Sequence, residues 1–272
     1  MDTLSLILSF IFGTVVGSFL NVVALRFNTG MGLGGRSKCM SCGTSLTWKE
    51  LVPLFSFAVQ KGSCRKCKSK ISWQYPLVEF IAGAIFVLIF FAYPPVDPLA
   101  GMVTLFQLAI ACLLVVISVY DIKHKIIPDG FVYSFGIIAL LSLCIGGSSW
   151  WHIPTVEMLI AGPVLAVPFA FLWLISRGAW MGLGDAKLTL GIGWLLGVSA
   201  GINALVLAFW LAAAVSVIWL LATHKKFKPR IEIPFGPYLI LGMYLVLLFH
   251  IQVIDIHLLK DIIMSYVSNL AL

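Results

Sequence analysis

Eight apolar runs divide the chain, and they decide what it can fold into. They are Leu4–Leu25, Pro76–Tyr93, Leu99–Tyr120, Phe131–Gly147, Val156–Ser176, Trp180–Gly197, Ile202–Ala222 and Gly236–Ile254. Each is close to the ~20 residues that a helix needs to cross ~30 Å of hydrocarbon. No water reaches peptide groups inside a bilayer, so a run of this length must satisfy its own hydrogen bonds as a helix. Composition agrees: 61% of the 272 residues are hydrophobic and 11% are charged, against about 25% charged in soluble domains. The expected class is an all-α polytopic membrane protein with about eight transmembrane helices. The first run is too long for the apolar stretch of a signal peptide and no basic residue precedes it, so it reads as a retained span. The sixth run departs from the pattern because it carries Asp185 and Lys187.

The charges set an orientation. With the N-terminus outside, seventeen of the eighteen Lys and Arg residues fall on inner segments or inner span ends, and only Lys260 does not. Basic residues accumulate on cytoplasmic loops. The net charge of +7 therefore reads as membrane topology, with membrane lipids as partners and no nucleic acid. The outer turns are short. The expected organisation is a first helix at 1–26, a cytoplasmic module at 27–75, a seven-helix core at 76–254 and a tail at 255–272. The tail has apolar residues at helical spacing and suits the outer surface.

The module carries "CMSC" (Cys39, Cys42) and "CRKC" (Cys64, Cys67). Each CxxC pair can form a tight knuckle and present two thiolates to one tetrahedral ion, the pattern of a zinc ribbon. Lys38, Arg65 and Lys66 would offset the charge of four thiolates. Such a site has no open position, so its zinc is structural, and in a segment with little core the metal does the folding. The competing reading is two redox-active dithiols; a reducing cytoplasm speaks against structural disulfides. Cys112 and Cys144 stand alone within spans and read as apolar packing.

Of eleven acidic residues, Glu50 belongs to the module and Glu232 lies beside Arg230 in the last inner loop as a solvated charge; four others lie near the inner face: Glu79, Asp121, Asp129 and Asp185. Asp129 sits between Pro128 and Gly130 and reads as a helix cap. Asp121 ends the third span, and Asp185 lies in "GLGDAK" at the inner end of the sixth. Gly182 and Gly184 permit unusual backbone angles there and let an extended peptide approach the main chain. Two aspartates at one depth can share a proton, since like charges push their proton affinities apart. One then activates water and the other protonates the amide being cleaved. The bland readings are a salt bridge from Asp121 to Lys123, Lys125 or His124, and a turn capped by Asp185.

Together these motifs resemble the type 4 prepilin peptidases, the GxGD class of intramembrane aspartyl proteases. "GSFLNVV" (17–23) resembles the first-span signature, the two CxxC pairs the zinc module, and "YPLVE" (75–79) the start of the second span. "YDIKHKIIPD" (120–129) and "GLGDAK" resemble the stretches with the two catalytic aspartates, here Asp121 and Asp185. "PFGPYL" (234–239) resembles the last-span motif. The resemblance implies removal of a basic leader from prepilins or pseudopilins at the cytoplasmic face of a bacterial inner membrane. It also implies methylation of the new N-terminal amine with S-adenosylmethionine. Glu79, an acid without an obvious partner, is then a candidate for the methylation site or for recognition of the substrate amine, with a helix-packing hydrogen bond as the alternative.

Gly13 and Gly17 form a GxxxG with Asn21 on the same face, read as close helix packing with a polar clamp. The main competing function is a proton-coupled transporter using the aspartate pair as a relay. It calls for polar residues at mid-membrane and often an inverted repeat; no repeat is visible, and the acids cluster at one face.

Overall fold

A computed structural model of the chain describes residues 2–30, 32–145, 151–223 and 233–255. Its elements are α1 (Thr3–Arg26), a 3-10 turn (Trp48–Glu50), α2 (Phe55–Val59), α3 (Gln74–Ala92), α4 (Pro98–His124), α5 (Asp129–Ser142), α6 (Val156–Ser176), α7 (Leu183–Thr223) and α8 (Gly236–Phe249). Among the described residues the β-structure is limited to two isolated bridges. Five helices, α1, α3, α4, α6 and α7, are long and apolar enough to cross a membrane. The multi-pass, all-α class is as the apolar runs imply. The basic loop at 225–230, Glu232 and the tail beyond 255 lie outside the described residues.

Helix ends follow local chemistry. Asp97 caps α4 by accepting from the Ala100 N–H at 2.8 Å, with Pro98 at the first position. Thr155 caps α6. Asp129, expected as a cap, instead occupies the first turn of α5, and Pro128 is the capping residue. An acid there still faces the positive end of the helix dipole.

The 41 residues of α7 would run about 60 Å if straight, twice the hydrocarbon thickness. The helix breaks at Gly197 (φ 77°, ψ 177°), a conformation that glycine adopts readily. One glycine thus separates the sixth and seventh runs. α5 and α8 are shorter than their runs, with 14 residues each. At the end of α8, His250 turns left-handed (φ 51°). The backbone that follows is irregular and is held by the buried Asn203 of α7. The Asn203 Oδ1 accepts from the Val253 and Ile254 N–H groups at 2.6 and 2.7 Å, and its Nδ2 donates to the Ile254 carbonyl at 3.1 Å. Non-helical backbone at membrane depth needs such partners, which is why an apolar run can stop being helix here.

The chain forms two compact units, 1–153 and 154–272. In the first, glycines bring α1 against α3: a Cβ on Gly13 would lie 2.8 Å from the Gly83 Cα, and one on Gly17 would lie 3.0 Å from the Glu79 Cα. Asn21, fully buried, donates from Nδ2 to the Tyr75 carbonyl at 3.3 Å. The expected close packing with a polar clamp is present. α4 joins them through Leu20, Ala24, Val78, Val115, Val116 and Val119, with Cys112 packed alongside. Lipid tails are as apolar as these side chains, so close packing and hydrogen bonds hold such helices together.

In the second unit α6 meets α7 at Gly162 and Gly193, where a Cβ on Gly193 would lie 2.6 Å from the Ala161 carbonyl oxygen. The Trp194 indole N–H donates to the Leu159 carbonyl at 2.9 Å. Gly242 sets α8 against Ala204 and Ala208. Phe235, at the start of α8, lies 4.9 Å from Phe209 between ring centroids.

Candidate active site and metal centre

The module between α1 and α3 contains two knuckles built alike. In the first, the Cys39 N–H donates to the Thr44 carbonyl and the Gly43 N–H to the Cys39 carbonyl, both at 2.9 Å. In the second, the Cys64 N–H donates to the Ser69 carbonyl at 2.9 Å and the Lys68 N–H to the Cys64 carbonyl at 3.0 Å. Gly43 (φ 70°) and Lys68 (φ 59°) turn left-handed at the equivalent place. A bridge flanks each knuckle, Lys38 with Ser45 and Ser63 with Lys70.

The knuckles bring all four predicted ligands together. The sulfur atoms of Cys39, Cys42, Cys64 and Cys67 lie within 4.8 Å of one another, and those of Cys39 and Cys67 are 3.8 Å apart. Zinc–sulfur bonds of ~2.3 Å in a tetrahedron place sulfurs about 3.8 Å apart. The set fits zinc in ligand type, number and spacing. The backbone N–H groups of Cys42 and Ser41 pull the Cys39 thiol down to about 6, and Ser69 lowers the Cys67 thiol. At Cys64 the N–H groups of Cys67 and Lys66 favour the thiolate, but burial and bonds to Cys39 and Cys67 outweigh them and push the thiol up.

Beside the second knuckle lies an open cleft of about 750 Å³, lined by Phe57, Lys61, Lys68, Lys70 and Trp73 among others. The Phe57 and Trp73 rings are 4.9 Å apart.

Glu79 has a partner that its position in the sequence does not suggest. It is 7% exposed, and its Oε2 accepts from the Leu54 N–H at 2.8 Å. Ser18 of α1 faces the same carboxylate.

Asp121 belongs to the first unit. It is 4% exposed in the last turn of α4, which the left-handed Lys125 (φ 56°) closes by donating its N–H to the Asp121 carbonyl at 2.7 Å. The Phe27 ring packs edge-on against Tyr120 and tilted against Phe131. A carboxylate at the carbonyl end of a helix opposes the dipole, so the dipole does not account for its presence. Asp185 belongs to the second unit and is half-buried in the first turn of α7. Its N–H donates to the Gly182 carbonyl at 3.2 Å, and its own carbonyl accepts from the Thr189 hydroxyl at 2.7 Å.

Comparison with known proteins decides the family. Residues 11–93 match the Bacterial Peptidase A24 N-terminal domain, and residues 108–217 match the Type IV leader peptidase family. The chain is 30% identical to the prepilin leader peptidase/N-methyltransferase of Aeromonas hydrophila, over 89% of each chain. The chain belongs to the type IV leader peptidase family. It is also 29% identical to the enzyme of the same name from Bacillus subtilis, over 92% of this chain and 96% of that one. With the one from Klebsiella pneumoniae it shares 31% over 73% of this chain and 88% of that one. No solved structure matches the chain.

Membership in the leader peptidase family leaves the transporter reading without support. The peptidase segment contains Asp121 and Asp185, and the N-terminal segment contains the four cysteines and Glu79. One expectation about the glycines needs correction. Neither Gly182 nor Gly184 is among the residues with positive φ, so a left-handed backbone is not why glycine stands there. A Cβ on Gly182 would meet the Asp185 Oδ2 only at 3.5 Å, an ordinary contact. What glycine supplies at Gly182 is open backbone beside the carboxylate.

Proposed function

We propose that this chain is an intramembrane aspartyl endopeptidase that removes the leader of prepilins or pseudopilins and then methylates the new N-terminus. The observation that carries the reading is Asp121: a buried carboxylate at the unfavourable end of an apolar helix, inside the segment that matches the peptidase family. Asp185, in the same matched segment, is the second member of the pair.

The two helix ends differ in sign, and this divides the labour. Asp185 lies where main-chain N–H groups favour negative charge, and Asp121 where carbonyls disfavour it. We assign the base to Asp185 and the acid to Asp121 on this ground. Asp185 takes a proton from water as the oxygen attacks the scissile carbonyl. Asp121 gives its proton to that carbonyl oxygen; as the C–N bond breaks, Asp185 passes the proton it took to the leaving nitrogen and Asp121 recovers one from the intermediate's hydroxyl, which restores the pair. The products are a leader with a new carboxylate and a mature chain with a free amine. Open backbone at Gly182 suits an extended junction, and Gly184 is the second glycine of the same motif. The substrate's apolar segment stays in the bilayer, and the basic leader lies at the face that holds the module, which the basic loops make cytoplasmic.

The names of the relatives support the methylating half, with S-adenosylmethionine as the donor. The cleft beside the second knuckle has aromatic walls suited to an adenine and a basic rim suited to a carboxylate, so Phe57, Trp73 and the neighbouring lysines are the residues that fit this group. When bound, it supplies a methyl group to a nucleophilic amine. Zinc folds the module.

The test is incubation of the purified protein with a synthetic prepilin in lipid, followed by mass analysis. Loss of the leader and gain of one methyl group are expected. An intact substrate under conditions that retain zinc would contradict the reading.

A further inference from the structure

Leu54 is held in a conformation that leucine rarely adopts. Its φ is 59° and its ψ is −51°, and the Phe55 N–H donates to the Pro53 carbonyl across it at 2.6 Å. This three-residue loop is a γ-turn of the rare, positive-φ hand. Strain of that kind persists only where the surroundings over-determine it, and here they are identifiable. The Leu54 N–H donates to the Glu79 Oε2 at 2.8 Å. Glu79 itself cannot shift easily, because Gly17 lets α1 approach so closely that a Cβ there would lie 3.0 Å from the Glu79 Cα. The anchor is therefore fixed to the α1–α3 pair, and the turn comes to it.

On the other side, Leu54 is the capping residue of α2. From α2, Phe57 packs on Trp73 and lies where a Cβ on Gly62 would meet its ring at 3.1 Å. Gly62 accepts from the Ile71 N–H at 2.8 Å, at the base of the second knuckle. A continuous path of packed groups joins the Glu79 carboxylate to the cysteine cluster.

We propose that Glu79 is a positioning residue: by accepting the Leu54 N–H it pins the cysteine module to the membrane helices, and reach rather than charge is what it contributes. Its consequence for methyl transfer rests on the function proposed above; the pinning itself does not. This differs from a role in binding the substrate amine, which needs a negative charge.

Two conservative variants of the full-length, zinc-loaded protein separate these roles. Glu79→Gln keeps the acceptor at the same reach without charge, and Glu79→Asp keeps the charge one methylene short. Hydrogen exchange of peptides covering 50–60 reads the turn, and methylation of a pre-cleaved prepilin reads the function. Pinning predicts that Glu79→Asp exchanges about tenfold faster at Leu54 and Phe55 and loses methylation, while Glu79→Gln matches the wild type in both. Unchanged protection in Glu79→Asp would overturn the proposal. So would a Glu79→Gln protein that keeps its protection but no longer methylates, which would make the charge essential. If the wild type methylates no prepilin, the functional reading fails, and the exchange measurement still decides the pinning.

Discussion

The sulfur atoms of Cys39 and Cys67 stand 3.8 Å apart although 28 residues separate them in the chain. Each comes from a different knuckle, so a single ion can close a segment whose own core is small. We expect one zinc per purified chain, and in Cys67→Ser less than about a tenth of that, with the 37–71 segment newly open to protease. Metal analysis and limited proteolysis check both. Full zinc content in the serine variant would contradict four-thiolate binding.

Lys68 adopts the left-handed conformation that glycine provides at Gly43 in the sister knuckle. A side chain in that region costs about 1 kcal/mol relative to glycine. Lys68→Gly should therefore stabilise the module by about that amount, and Gly43→Ala should destabilise it similarly. The midpoint of chelator-induced zinc loss is the measurement; a Lys68→Gly midpoint below that of the wild type would contradict the argument.

Asn203 satisfies two N–H groups of the irregular backbone after α8. Asn203→Leu leaves both without an acceptor in an apolar setting, at about 1–3 kcal/mol each. A lower thermal midpoint is expected, with faster exchange at Val253 and Ile254. An unchanged midpoint would mean that water or lipid headgroups serve those groups equally well.

The glycines of "GLGDAK" give a graded test. Gly184→Val should fold and block leader cleavage, and Gly184→Ala should slow it less. A stable Gly184→Val enzyme that cuts at the normal rate would show that close approach at this motif is not used.

Much of this was legible in the sequence. Apolar runs of membrane length can only be helices, and paired CxxC spacing admits few geometries, so the helical class and the cysteine cluster were readable without coordinates. The ends of the runs were not, because hydropathy does not register a left-handed residue such as His250 or a side chain such as Asn203 that replaces a helical partner. Asp129 looked like a cap because capping depends on which residue leaves helical geometry first, and Pro128 does so. The link from Glu79 to Leu54 spans 25 residues and depends on a strained turn, and no local pattern announces either.

The proposed catalytic pair of Asp121 and Asp185 is tested most directly by leader cleavage in each single asparagine variant. Asp121→Asn and Asp185→Asn proteins that retain zinc and a normal thermal midpoint should each cut synthetic prepilin at least about a thousandfold more slowly than the wild type, the scale of removing a positioned acid or base. Cleavage within a few-fold of the wild-type rate by either folded variant would contradict the account.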